Sequence, residues 1–183
     1  MSLTLITAPA AEPVTLAEAK LQCRIDGTEF DTILARYIAG ARDAAEHKLG
    51  GRKLINQTWE LALDAFPAAE IDLRLAPVAS ITSVKYIDIA GVEQTLASNA
   101  YTLDAATLPA WLLPAYGTEW PATLDTANAV KVRFVVGYGA DGTTVPPKVI
   151  LWLLAHIGYS HAQQLMPDDH DSLLDGETIY RAL

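Results

Sequence analysis

The sequence of 183 residues is poor in cysteine, in long apolar runs and in clustered basic residues. Its single cysteine, Cys23, excludes an intrachain disulfide and gives no sign of an oxidising compartment. Because Cys23 lies in a segment of helical apolar spacing, we expect a buried structural thiol rather than a catalytic one. The most apolar run, 149–159, contains His156 and is far shorter than the roughly 20 residues of a membrane-spanning helix. It predicts a buried helix, and no membrane partner is expected.

The charge is strongly acidic, with a net value of −9 from 22 acidic and 13 basic residues. The excess lies in the middle of the chain and in the tail 167–183, where five acids stand against Arg181. Without a basic stripe to neutralise phosphates, the protein is not expected to bind nucleic acid tightly, although DNA can pass near it. No Lys or Arg precedes the apolar patch within residues 1–11, so we expect no signal peptide and synthesis in the cytoplasm.

Three segments carry helical signals. Thr15 and Glu18 have the spacing of a capping box, which predicts a helix over about 15–25. Asp26-Gly27 interrupts the pattern, and apolar residues spaced by three and four predict a second helix over 28–49. The Pro146-Pro147 pair, followed by an apolar segment, predicts a third helix over about 147–165.

Between these helices the apolar period changes to two, which is typical of half-buried strands. Short strands are predicted around Trp59 and over 71–75, 84–89, 94–96, 101–104 and 130–136. They are separated by turn residues and by a proline-containing loop at 109–121. Because no helix-length segment separates them, we expect an antiparallel β region. Trp59 and Trp152 are predicted to be core residues.

The switch of period predicts an α+β fold, with three main helices forming a core and an antiparallel β region inserted into it. The expected helical core comprises 1–53 and 146–166, the inserted β region 54–145, and the acidic C-terminal tail 167–183. The tail is expected to be ordered only against a partner surface, with Ile179, Tyr180 and Leu183 as its short apolar anchor.

The motifs that carry chemistry are weak. Residues 137–142 read G-x-G-x-x-G after a predicted strand, but no helix opens at the third glycine, so a glycine-rich turn is expected instead of a phosphate site. His156 and His161 are five positions apart, about 140° around a helix, and therefore diverge instead of sharing a metal; His47 and His170 add no ligand spacing. We predict no catalytic, cofactor or metal site.

The order of several segments is more informative than any one of them. Matching stretches lie at 12–20, 51–61, 77–84, 116–117, 120–121, 130–139 and 145–146. Together they resemble the phage head-tail connector family, in its longer β-containing branch that is also found in gene transfer agents and prophages. The resemblance covers about residues 12–165, and the tail after Met166 lies outside it.

The resemblance implies a non-enzymatic structural subunit without cofactors. Members of the family form homo-oligomeric rings, usually of about twelve subunits, beneath the portal protein. The ring extends the DNA channel without specific DNA binding and is the docking platform for the next connector or tail-completion protein. The expected location is the head-tail junction of the virion, with assembly in the host cytoplasm. Ile179, Tyr180 and Leu183 are then candidates for the contact with the portal or a neighbouring subunit.

Two other classes of protein remain as alternatives. A β-rich carbohydrate- or protein-binding module of a phage particle would use exposed aromatic residues such as Trp111, Tyr116 and Trp120. An enzyme would need a concave cluster of carboxylates or histidines. Size distinguishes the first alternative, because a binding module stays monomeric whereas a connector forms large oligomers.

Overall fold

The computed structural model of the protein describes residues 1–163, 165–167 and 169–178. Within these residues the chain forms three α helices and eight β strands, and every strand pairing is antiparallel. The α+β class expected from the sequence is confirmed. The helices are α1 (Leu16–Cys23), α2 (Asp31–Lys48) and α3 (Pro147–Ala162). The strands are β1 (Ser2–Thr7), β2 (Gln57–Leu63), β3 (Ile71–Asp72), β4 (Val78–Ile87), β5 (Glu93–Thr95), β6 (Tyr101–Asp104), β7 (Trp111–Pro114) and β8 (Val130–Val136).

The strands form one compact unit, the β unit, from residues 1–8 and 56–137. It contains a five-stranded sheet in the order β1-β2-β8-β4-β5 and a three-stranded sheet in the order β3-β7-β6. Strand β8 lies between β2 and β4, and its side chains alternate as a strand buried on one face requires. The buried side chains of β8 are those of Val130, Val132, Phe134 and Val136.

The helices form a second compact unit, the helical unit, from residues 9–55 and the described residues from 138 onward. Helix α3 packs against both α1 and α2. Apolar residues at helical spacing on α2 are buried against it, which explains why the 28–49 segment carries a regular stripe. That stripe consists of Leu34, Ile38, Ala41 and Ala45. Trp152 of α3 is 0% exposed and is among the largest fully buried side chains of the unit.

The helix ends follow local chemistry. The predicted capping box at α1 is present, since Thr15 Oγ1 accepts from the Glu18 N–H at 3.2 Å and Glu18 Oε2 accepts from the Thr15 N–H at 2.8 Å. Arg24, in the left-handed region at φ 57°, ends this helix. Helix α2 begins at Asp31 instead of 28, and Phe30 makes no side-chain capping bond there. Pro147 occupies the first turn of α3, where its missing N–H leaves no bond unmade.

The N-terminus is an unexpected part of the sheet. The sequence places residues 1–8 with the predicted helical core, but Ser2–Thr7 pairs with β2 and belongs to the β unit. The alternation of Leu3 and Leu5 with threonines is a strand pattern too short to be distinguished from an apolar lead. Leu3 packs against the core of the β unit, which is the tertiary contact that fixes the strand.

Two further strand predictions need correction. The proline loop predicted at 109–121 contains β7, because Trp111–Pro114 pairs with β6 on one side and with β3 on the other. The strand predicted at 71–75 is limited to Ile71–Asp72, since Arg74 adopts a φ of 62° that ends extended pairing.

The two tryptophans predicted as core residues differ in burial. Trp152 is fully buried, as expected, whereas Trp59 is half-buried and its Nε1–H donates to Gln57 Oε1 at 3.0 Å.

Trp152→Ala should lower the free energy of unfolding by about 3–5 kcal/mol, because it removes a fully buried ring. Trp59→Ala should lower it by less. Urea unfolding followed by circular dichroism measures both values, and equal losses for the two variants would contradict the difference in packing.

Candidate interaction surfaces

The described residues contain little that resembles a reaction centre. Among them, no group of three or more His, Cys, Asp or Glu side chains is placed to hold a metal ion. Cys23 is half-buried instead of fully buried, and burial raises the pKa of its thiol, so the unreactive protonated form is favoured. No helix within the described residues combines the length and apolarity needed to cross a membrane.

The glycine-rich segment 137–142 is a turn. A short 3-10 helix, Gly142–Thr144, follows it, and α3 begins only at Pro147. At Gly142 a side chain would meet the Pro13 carbonyl oxygen at 1.9 Å, so the glycine permits two backbone segments to approach closely. The third glycine of the motif therefore serves packing within the helical unit.

The helical unit has an open groove of about 580 Å³. Its wall is mostly apolar and comes from the segment before α1, from α2 and from the start of α3. We call it the apolar groove, lined by Ala11, Val14, Leu16, Ala35, Ile38 and Ile150. Ala35 is exposed on α2, so its methyl group marks a part of the wall that solvent reaches. Open apolar concavities of this size are typical of binding surfaces.

Three carboxylates line the same groove, and each already has a local partner. Glu12 accepts a hydrogen bond from Arg42 Nε at 2.7 Å. The Thr15 hydroxyl lowers the pKa of Glu18, and the Thr143 hydroxyl lowers that of Asp141. Glu18 and Asp141 therefore stay ionised near neutral pH. Because a carboxylate accepts several hydrogen bonds, they retain the capacity to accept one from a bound group.

A buried carboxylate fixes the backbone next to the groove. Glu46 is 3% exposed, and its Oε1 accepts from the Leu54 N–H at 3.1 Å while its Oε2 accepts from Lys53 Nζ at 2.8 Å. Arg42, one turn earlier on α2, lies 3.9 Å from Glu46 and also binds Glu12. The network thus connects the segment before α1, helix α2 and the chain after it.

The described part of the tail packs on the helical unit. A 3-10 turn, His170–Leu174, lies against α3, and Leu174 is 3% exposed. Asp171 joins it to two helices, accepting from Lys48 Nζ at 2.5 Å and from Trp152 Nε1 at 3.2 Å. The tail expected to be ordered only against a partner therefore has a turn with contacts of its own. The sequence indicates this turn only weakly, through a pair of leucines among acidic residues.

Two histidines form a stack around Trp152. The ring centroids of His156 and His170 lie 4.6 Å and 4.8 Å from that of Trp152, and 5.6 Å from each other. Burial lowers the pKa of both imidazoles, and the neighbouring His170 lowers that of His156 further. His156 Nδ1 and His170 Nε2 are buried without a hydrogen-bond partner. The sequence spacing predicted that His156 and His161 diverge on α3. It gave no indication of the pair His156 and His170, because that pair forms only when the turn of the tail packs on α3.

The three aromatic residues of the binding-module alternative do not form one exposed platform. Trp111 is half-buried within β7, and Trp120 stacks on Phe66 with ring centroids 4.8 Å apart. Trp120 Nε1–H also donates to the Ala69 carbonyl oxygen at 2.6 Å. Tyr116 alone among the three is fully exposed, at 104% of its reference area. This arrangement disfavours carbohydrate stacking by several rings.

The candidate contact residues Ile179, Tyr180 and Leu183 lie outside the described residues. The described chain leads toward them through Glu177, whose carboxylate accepts from Arg52 at 2.8 Å. Arg52 also donates to the Tyr138 hydroxyl. The segment before the candidate contact is thus held to the helical unit by an ion pair.

Glu46→Ala should destabilise the protein by about 3–5 kcal/mol, because it removes the buried acceptor of Lys53 Nζ and of the Leu54 N–H. Chemical denaturation measures the change. Glu60→Ala is the matched control: it removes a more exposed carboxylate that pairs with Arg133 across β2 and β8, and should cost about 0–1 kcal/mol. A Glu46→Ala protein as stable as the control would contradict the structural role of this network.

Acidification should loosen the turn of the tail. The pKa values of His156 and His170 are lower in the folded protein than the ordinary value of about 6.5, so their stabilising effect is present above that pH and is lost as pH falls through the folded values. Lys48, Asp169 and Asp171 are the charged groups that act on this pair. Lys48 lowers the pKa of Asp171, so this carboxylate stays charged in the same window.

Hydrogen exchange of the 170–177 amides, corrected for the intrinsic rate, checks this expectation. Protection should decrease between about pH 7.5 and about pH 5.5 in the wild type and decrease less in His170→Phe, which keeps a stacked ring without a titrating group. Equal pH dependence in the two proteins would show that the imidazole does not control the turn.

Known structures share this fold over its whole length. The chain is 26% identical to a chain from the virion of a native gene transfer agent particle, with a TM-score of 0.82, covering 100% of this chain and 98% of that chain. A chain from the neck of the native particle, computed with C12 symmetry, is also 26% identical, with a TM-score of 0.75 and the same coverage. A third, from the neck of the empty particle with C6 symmetry, is 24% identical with a TM-score of 0.83, covering 100% of this chain and 98% of that chain.

No curated protein shows significant sequence similarity to the chain. A family model does match: residues 13–107, just over half of the chain, fit the family described as phage gp6-like head-tail connector protein. This match confirms the resemblance that the ordered segments of the sequence indicated. The chain belongs to the family of phage gp6-like head-tail connector proteins.

Proposed function

We propose that this chain is a structural subunit of a ring at the head-tail junction of a virion or a gene transfer particle. The observation that carries the proposal is the similarity to a chain from a gene transfer agent neck computed with C12 symmetry, which spans 100% of this chain and 98% of the other. The similarity therefore extends over nearly all of both chains and is not confined to one unit of the fold. The C12 symmetry of that neck supports a ring of about twelve copies.

The division of the fold supports a connector of this kind. We infer a helical core with an inserted β region, since the helical unit is formed from residues on both sides of the continuous segment 56–137. A ring interface is heterologous, so each subunit needs two different faces that complement each other. A fold with a helical unit and a β unit offers two different faces.

The charge supports passage of DNA without binding. The net charge of −9 repels phosphates, and no basic stripe is available to hold them. We propose that the ring extends the DNA channel beneath the portal and that DNA crosses it without specific contacts. We propose no enzymatic activity and no cofactor.

The partners proposed for the ring are the portal protein on one side and the next connector or tail-completion protein on the other. The subunits are made in the host cytoplasm and join the head-tail junction of the particle. Ile179, Tyr180 and Leu183 remain the candidate residues for the contact with the portal or with a neighbouring subunit, because they are the apolar side chains at the end of an acidic segment.

The ring itself is tested with portal-bearing heads that lack this subunit. Purified protein added to these heads should form a ring at the portal vertex, visible by electron cryomicroscopy, and should restore attachment of the next neck or tail component. Heads that take up no protein, or take it up without rotational symmetry, would overturn the proposal. A monomer that binds carbohydrate in a glycan array would favour the binding-module alternative.

The tail contact is tested by replacing its apolar side chains at constant length. The triple variant Ile179→Ser, Tyr180→Ser and Leu183→Ser should keep the wild-type melting temperature but bind portal-bearing heads at least about 10-fold more weakly, because each buried apolar side chain contributes roughly 1.5–3 kcal/mol. The control is the double variant Arg181→Ala with Ala182→Ser, which changes the same segment but keeps its three apolar side chains. It should bind the heads as the wild type does. Wild-type binding by the triple variant would exclude these residues from the contact.

A further inference from the structure

Tyr116 is held out from the β unit on a tight turn. The Thr118 N–H donates to the Ala115 carbonyl oxygen at 3.0 Å, which closes a β-turn with Tyr116 and Gly117 at its two central positions. Gly117 has a φ of +75°, the conformation that a type II turn requires at its third residue and that glycine adopts most easily. The Thr118 hydroxyl donates to the same carbonyl at 2.7 Å. The turn therefore presents the phenol ring from a defined backbone.

The turn is anchored on both sides. Before it, the Ala115 N–H donates to the Ala100 carbonyl oxygen at 3.0 Å, directly after the paired strand β7. After it, Trp120 is fixed by its stacking on Phe66 and by its bond to the Ala69 carbonyl. Because the backbone of the turn is already fixed, binding through Tyr116 restricts only its own side chain, which is typical of an aromatic interface anchor.

The apolar groove of the helical unit has the complementary chemistry. Its volume of about 580 Å³ accommodates an aromatic side chain, and its wall is mostly aliphatic. The carboxylates of Glu12, Glu18 and Asp141 provide acceptors that a phenol O–H satisfies. Each carboxylate already accepts one hydrogen bond, from Arg42, from the Thr15 N–H or from the Thr143 N–H, and has room to accept another from a phenol.

We propose that Tyr116 of one copy inserts into the apolar groove of the neighbouring copy. The proposal rests on the ring proposed above. Every copy carries one anchor, on its β unit, and one groove, on its helical unit, and the two surfaces differ. Such a pair repeats from copy to copy and closes under cyclic symmetry, which is the symmetry of the similar chains from gene transfer agent necks.

Both halves of the contact are tested by substitution. Tyr116→Ala removes the anchor, and Ala35→Phe fills the groove from an exposed helical position that tolerates a larger side chain. Each should raise the dissociation constant for ring formation on portal-bearing heads by about 30-fold, the factor expected for an anchor worth about 2 kcal/mol. Tyr116→Phe should have a smaller effect, because the ring remains and only the O–H is lost.

The matched controls are Ile89→Ala, which truncates another exposed apolar residue of the β unit, and Ala35→Ser, which leaves the groove open. Both should assemble as the wild type does, and all variants should keep the wild-type melting temperature. If the wild-type protein forms rings and Tyr116→Ala and Ala35→Phe form them equally well, the contact is overturned while the ring stands. If the wild type forms no ring, both proposals fall.

Photo-cross-linking identifies the partner directly. Protein with p-benzoylphenylalanine in place of Tyr116 is mixed with ¹⁵N-labelled copies and assembled on heads before irradiation. Cross-links to peptides containing 11–18, 35–38 or 141–150 of the copy with the other isotope label support the proposal. Cross-links within one copy, to the portal protein or to other segments overturn it, even where the ring forms.

Discussion

The path of the chain in the helical unit depends on one buried carboxylate. Glu46 sits at the last turn of α2 and accepts hydrogen bonds from residues 53 and 54, so it determines how the chain continues after the helix. Through Arg42 the same network reaches Glu12 and holds the segment before α1. A carboxylate this deeply buried is tolerated only with charged and hydrogen-bonding partners. The groove beside this network is therefore built on an electrostatic arrangement as much as on apolar packing.

The periodicity of the sequence predicted most of the regular structure, because a helix or a strand with one buried face must repeat its apolar residues. The three helices and the antiparallel strands were predicted in this way, and the spacing of Thr15 and Glu18 predicted the capping box. Strand β1 was not, since it takes its order from β2, which is distant in the sequence, and β7 was not, because the prolines around it indicated a loop. The turn at 170–174 was also missed, because its stability comes from contacts with α3 and Lys48 and not from a local pattern.

The interaction surfaces were harder to predict than the fold. The groove combines residues near positions 11–18, 35–38 and 141–150, and no sequence pattern connects segments so far apart. Trp111, Tyr116 and Trp120 were equivalent candidates in the sequence, and only the packing of Trp120 on Phe66 separates an internal ring from an exposed one. The family, in contrast, was predictable, because it depends on the order of many short segments and not on any one contact.

The order of the segments along the chain has a consequence for biosynthesis. The core of the helical unit joins Leu34 and Ile38 of α2 to Trp152 and Ile157 of α3, with the whole segment of the β unit between them. At a translation rate of about 5–20 residues per second, the apolar stripe of α2 waits roughly 10 s for its partner helix to leave the ribosome. During that interval it is exposed to aggregation, whereas the strands of 56–137 already have one another to pair with. Lower growth temperatures or added chaperones during expression should therefore raise the soluble yield. The gain would come from keeping the exposed apolar stripe of α2 from aggregating, and not from an effect on the sheet.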